Sequence, residues 1–149
     1  MAGNPAFHKI IKGVVPPAAI KDNAAYTTAE IDTVDATYGK AQYTNVYVYI
    51  GAIDADFAAG AFKLQECDTS GGTFADITSA TLSPVNTDDN TFWCLAVNNT
   101  AARKRYYDLV LTAPDGAAGM YCAAWVEHCF NTVQPITATG LGLTGLASV

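Results

Sequence analysis

Four cysteines, two histidines and a few clustered carboxylates are the residues of this chain with chemistry to offer. The stretch KLQECDTSGGTFADI, residues 63–77, sets Cys67 between Glu66 and Asp68, next to the pair Gly71 and Gly72. Asp68, Ser70 and Gly72 echo the start of a calcium loop. Such a loop also needs further oxygen ligands and a bidentate glutamate, and none follows at that spacing. The glycines have a simpler use, since TSGG supplies the positive φ angles of a tight turn between two strands.

The cysteines, Cys67, Cys94, Cys122 and Cys129, form no C-x-x-C pair, so a structural zinc site has little support. On an extended strand Cys122 and Cys129 point to opposite faces and sit about 23 Å apart, seven residues at about 3.3 Å each. They share neither a metal nor a disulfide. His128 and Cys129 also face opposite sides, which removes the nearest cysteine–histidine catalytic pairing. The four thiols are expected to be small apolar side chains within a β core. The other histidine, His8, lies near the N-terminus, and no Gly-x-Ser-x-Gly elbow, phosphate loop or His-Glu-x-x-His occurs. The acid clusters DAD (54–56) and NTDDN (86–90) fall in loop-like sequence and read as solvated turns. No catalytic site, metal or cofactor is expected.

Two other groups suit binding. Arg103, Lys104 and Arg105 hold three of the eight positive charges. They form either an ion-pairing patch for an acidic partner or a charged lead-in that blunts an exposed strand edge. Tyr43, Tyr47 and Tyr49 make an aromatic row on one strand. Such a row is a sugar-stacking platform, an interface anchor, or the outer layer of a sandwich covered by a loop or arm.

The elements that must position these residues are strands. YTNVYVYIG alternates Thr44, Val46, Val48 and Ile50 on one face with Tyr43, Asn45, Tyr47 and Tyr49 on the other, the period of a β-strand. RYYDLVLT (105–112) and MYCAAWVEHC (120–129) are rich in aromatic and β-branched residues between turn signals. FWCLAV, AFKLQE and TFADIT are shorter candidates, with AEIDTV and KIIKGV weaker. About eight strands at this spacing predict an antiparallel sandwich or barrel. The alanine-rich patches at 18–25 and 54–61 are expected to hold at most a helical turn each.

Composition sets the limits. A chain of 149 residues, half of them hydrophobic, buries a core as one domain without a disulfide scaffold. Only 15% of it is charged, and a surface poor in charge suggests one partly covered by a partner. A net charge of -6 argues against nucleic acid, whose phosphates need a positive stripe. The charge is uneven: residues 1–21 hold Lys9, Lys12 and Lys21 and no acid, whereas residues 130–149 hold no charged residue. No signal-peptide run and no membrane span is read, so cytosolic synthesis with reduced thiols is expected.

The expected organisation is an N-terminal arm over 1–17, a β-sandwich over 18–133 and a C-terminal arm over 134–149. In the first arm Phe7, Ile10 and Ile11 are apolar anchors beside Lys9 and Lys12. In the second, Leu141, Leu143 and Leu146 suit an extended segment against a neighbouring copy, with plain disorder as the alternative.

In order, the segments IDTV, YTNVYVYIG, KLQECDTSGGTFADI and RKRYYDLVLT resemble the small head-decoration, or capsid cement, proteins of tailed bacteriophages. The likeness runs from Ile10 to Val126 and rests on pattern and order. Cys67 stands where that pattern usually has Ser, and Asp108 where it often has Arg. The resemblance implies a β-sandwich of jelly-roll type on the outer surface of a virion. There it would form a trimer, bind the major capsid protein at subunit junctions and stabilise the head, with no membrane partner. A glycan- or receptor-binding sandwich of a phage tail or adhesin, using the tyrosine row, is the other reading.

Overall fold

The structure, a computed structural model, describes residues 20, 22–100, 102–116, 119–130 and 143–149. Thr44, Val46, Val48 and Ile50 carry the inward face of the strand Tyr43–Ile50, and all four are fully buried, as their alternation predicts. Strands hold 53% of the described residues and helices none. In chain order they are β1 (Ala25–Thr27), β2 (Ile31–Asp32), β3 (Val34–Asp35), β4 (Gly39–Lys40), β5 (Tyr43–Ile50) and β6 (Phe62–Cys67). β7 (Ala75–Leu82), β8 (Thr91–Asn98), β9 (Tyr106–Thr112), β10 (Cys122–Cys129) and β11 (Gly145–Ser148) follow.

Two sheets face each other. One has the order β1-β9-β6-β7, with β2 also paired to β9; the other has the order β10-β5-β8-β11. β3 and β4 form a small ribbon. Every pairing is antiparallel except β11 on β8, which is parallel. Phe62, Leu64, Ile77, Leu109 and Leu111 from one sheet meet Val46, Val48, Ile50, Leu95, Val97 and Val126 from the other in a single apolar core. This is the interdigitated inner layer of a β-sandwich.

The β6–β7 connection is the expected hairpin turn. Gly71 takes φ 68° and the Gly72 amide donates to the Thr69 carbonyl at 3.0 Å. Glu30, remote in sequence, holds the turn by accepting from Ser70 Oγ at 2.7 Å and from the Gly71 amide at 2.8 Å.

Neither alanine-rich patch holds a helical turn among the described residues, and the expected arms lie wholly or partly outside those residues. Residues 54–61 form a non-helical loop that buries Phe57, and the described part of 18–25 turns at Asp22 and Asn23, both at positive φ, into β1. KIIKGV and the N-terminal arm lie outside the described residues. Of the expected C-terminal arm, residues 145–148 form β11 on this chain's own β8, because Ala147 and Val149 pack against the core.

Candidate interaction surface

The two sheets present different chemistry outward. On and beside the five-stranded sheet, charges pair within the chain. Lys63 and Gln65 reach Asp76 at 2.9 and 2.7 Å, and these two hydrogen bonds hold the Asp76 carboxyl below its usual range. Arg105 grips Asp32 with two hydrogen bonds, Nε to Oδ1 at 2.9 Å and Nη2 to Oδ2 at 2.8 Å, while its guanidinium lies 4.9 Å from the Tyr106 ring centre. That carboxylate pushes the Arg105 pKa further up. Arg103 pairs with Glu66 at 3.4 Å and Lys104 with Asp68 at 3.6 Å. All three cations of the Arg103–Arg105 patch therefore meet an acid of this chain, so little net positive charge remains there for an acidic partner.

The four-stranded sheet differs. Glu127 is the only charged residue in its strands. Aromatic rings run across three of them: Tyr47 stacks on Trp125 (centres 5.4 Å apart, planes at 16°), Trp125 meets Phe92 edge-on at 5.8 Å, and Phe92 tilts against Tyr49 at 5.0 Å. The tyrosine hydroxyls are satisfied at the margins, Tyr47 donating to Glu127 Oε2 and Tyr49 to Asn90 Oδ1, each at 3.0 Å. Burial, then the neighbouring Cys94 and Glu127, raise the Tyr47 pKa. Phe92 remains 42% exposed and Tyr121 68% exposed. Beside Tyr121 an apolar recess of about 200 Å³ is lined by Tyr49, Gly51, Cys122 and Ala123.

The four thiols are free and buried. Burial pushes Cys94 and Cys122 up to about 12 and Cys129 up to about 11, with Glu127 adding to the shift at Cys94 and Cys129. None of these three is a nucleophile near neutral pH. His128 Nδ1 lies 3.1 Å from Thr44 Oγ1, but both residues are buried, so the pair is closed to a substrate. Among the described residues no group of three or more His, Cys, Asp or Glu is placed to hold a metal, and no helix is long and apolar enough to cross a membrane.

Of the residues singled out in the sequence, Phe7, Lys9, Ile10, Ile11, Lys12 and Leu141 lie outside the described residues. Arg103, Lys104 and Arg105 lead into β9, while Leu146 lies on β11 in the other sheet, half-buried opposite Cys94, with half-buried Leu143 just before it. The structure does not bring these two groups onto one sheet. Sequence reasoning passed over Phe92, Trp125 and Tyr121. Alternation within FWCLAV and MYCAAWVEHC gives each a face, but only the register sets Phe92 and Trp125 beside the tyrosines. No protein-family model and no curated protein matches this chain.

Proposed function

We propose that this chain is a head-decoration protein of the capsid cement type. In this reading it binds the outside of a phage capsid, bridges major capsid protein subunits, and assembles with itself as a trimer on the virion surface. The observation that supports the reading is the position of the resembling segments. ID is β2, KLQEC and ADI belong to the hairpin β6–β7, and RYYDLVLT spans β9, neighbours in one sheet, while YTNVYVYIG is β5 in the sheet that faces it. The Arg105–Asp32 pair and the Glu30 contacts to the turn tie them together. Three of the four segments are thus neighbours in one sheet, and the fourth packs against them across the core. The aromatic face of the other sheet, with Glu127 as the single charge in its strands, has the composition of a protein interface core. Jelly-roll connectivity and a capsid-contacting N-terminal arm belong to the same proposal.

Sedimentation with undecorated heads tests it. The full chain is expected to pellet with heads at a saturable stoichiometry, and a chain lacking residues 2–15 to bind more weakly. A full chain that stays in the supernatant overturns the reading. The aromatic ladder also supports a second reading, a glycan-binding module, which predicts retention on immobilised sugar and indifference to heads.

A further inference from the structure

One end of the sandwich gathers carboxylates around apolar surface. There β5 ends at Ile50 while β8 and β10 begin at Thr91 and Cys122. The Gly51 amide donates to the Tyr121 carbonyl at 2.8 Å and the Asn90 amide to the Gly51 carbonyl at 3.4 Å, so Tyr121, Gly51 and Asn90 lie side by side. Asp54, Asp56, Asp88, Asp89 and Asp115 belong to the loops that frame this end. Asp89 Oδ1 accepts from the Ile53 amide and Asp56 Oδ1 from the Asn86 amide, each at 2.8 Å, and Gly116 lies against Asp54. Among the described residues no Lys or Arg pairs with Asp56, Asp88, Asp89 or Asp115. Inside this rim lies the recess of about 200 Å³, walled by Tyr121 at 68% exposure.

An apolar hollow with a negative rim selects an occupant that is both apolar and cationic. The chain's own cations narrow the choice. Of its eight Lys and Arg, five are engaged elsewhere. Lys63 pairs with Asp76, Arg103 with Glu66, Lys104 with Asp68 and Arg105 with Asp32, while Lys40 Nζ donates to the Arg103 carbonyl at 2.8 Å. The other three are Lys9, Lys12 and Lys21, in a stretch that has no acid and that carries Phe7, Ile10 and Ile11. Chain continuity puts this stretch beside the recess: Ile20 exchanges hydrogen bonds of 3.0 and 2.7 Å with Met120, next to Tyr121. Asn90 is two strand spacings, about 10 Å, from Tyr121. The residues from Lys12 to Ile20 extend to about 27 Å, more than that span. A short tether also keeps the local concentration of the segment high.

We propose that residues 7–12, FHKIIK, dock in cis on this acidic, aromatic end of their own chain. An apolar side chain fills the recess beside Tyr121, and Lys9 and Lys12 meet the aspartates of the rim. The proposal concerns the free protein and its test uses no heads, so it and the capsid reading fail separately.

The test is a nitroxide spin label on Ala6→Cys in the full, isotope-labelled chain, read by amide NMR. The amide signals of Gly51, Asp89, Asn90 and Tyr121 are expected to lose intensity more than those of the β6–β7 hairpin. Asp88→Asn with Asp89→Asn keeps the side-chain oxygens that accept from Val85 and Ile53 and removes the charge. This variant, and Lys9→Glu with Lys12→Glu, are expected to restore the lost intensity, as is salt of about 1 M, which screens exposed charges beyond a few ångströms. Uniform or absent broadening in the parent overturns the proposal, and so does broadening that both charge variants leave intact. Spin-labelled chain mixed with isotope-labelled chain that carries no nitroxide is expected to broaden nothing. Broadening of the same four signals in that mixture would assign the segment to a second copy and overturn docking in cis.

Discussion

Tyr107, on the five-stranded sheet, donates its hydroxyl hydrogen bond to Asn99 Oδ1, and Asn99 Nδ2 in turn reaches Thr44 Oγ1 on the opposite sheet at 2.8 Å. His128 extends the chain beyond Thr44, and all four residues are buried. An apolar core resists sliding of one sheet over the other only through shape. A satisfied polar chain between sheets adds direction, and leaving any member unpaired is costly.

Tyr107→Phe is therefore expected to destabilise by about 1–3 kcal/mol, the cost of removing one partner from a buried polar group. Urea denaturation checks it: the midpoint falls while the slope is unchanged, since the exposed area on unfolding hardly alters. A neutral result would mean that Asn99 finds another donor.

A second prediction concerns Asp108, whose Oδ1 is buried without a hydrogen-bond partner. Burial, and after it the charge of Glu30, raises this carboxyl above its ordinary value. The folded state then holds the proton more tightly than the unfolded one, so stability is highest below the unfolded pKa and falls as pH rises through the folded value. Asp108→Asn removes that penalty. The variant is expected to melt higher than the parent at pH 7, with the difference closing towards about pH 3, where both states are protonated. Equal melting points across that range would contradict the assignment.

The legible part of the fold was the part fixed by nearest neighbours. β5 alternates over eight residues, and its inward set could be named from the sequence because a central strand of a sandwich must bury one face. Its outward set was legible only in type. Whether Tyr47 and Tyr49 form an open row or a packed ladder depends on Trp125 and Phe92, which arrive from strands far away in sequence. The ion pairs of Arg103, Lys104 and Arg105 were not legible for the same reason, since Asp32, Glu66 and Asp68 are distant along the chain. GLAS has no apolar period, and β11 forms where Ala147 and Val149 pack against the core and Gly145 leaves room for the Trp93 ring. The loop at 54–61 is alanine-rich, yet Asp56 accepts from the Asn86 amide and Asp89 from the Ile53 amide, which stabilises extended connections over a helical turn.

Thiol labelling gives a third prediction. With Cys94 and Cys122 at about 12 and Cys129 at about 11, thiolate at pH 8 is scarce at all three. Labelling of the folded protein by a thiolate-specific reagent is expected to be at least about a hundredfold slower at these sites than for an ordinary thiol with a pKa of about 8.5. Denaturant should release four reactive thiols at once. A fast phase of more than one thiol in the native protein would show that the aromatic sheet opens more readily than its packing implies.

The aromatic sheet also offers the sharpest separation of stability from binding. Phe92 and Tyr121 are well exposed, so Phe92→Ser and Tyr121→Ser remove few packed contacts and are expected to change stability by less than about 1 kcal/mol. Trp125, half-buried between Tyr47 and Phe92, is the contrasting control. Trp125→Ala should cost about 1–3 kcal/mol, below the range for a fully buried tryptophan. If this face meets a protein partner, the two exposed rings are anchors, and the double serine variant should lose at least tenfold in head binding or in self-association. If the face is a sugar platform, the same variant should bind heads no differently and lose retention on sugar. Titration of the variant against heads, against itself and against immobilised glycan, with its melting point as the control, distinguishes these outcomes. A variant that binds all three as the parent does would show that the ladder only covers the sheet, and attention would pass to the charged sheet and the N-terminal residues.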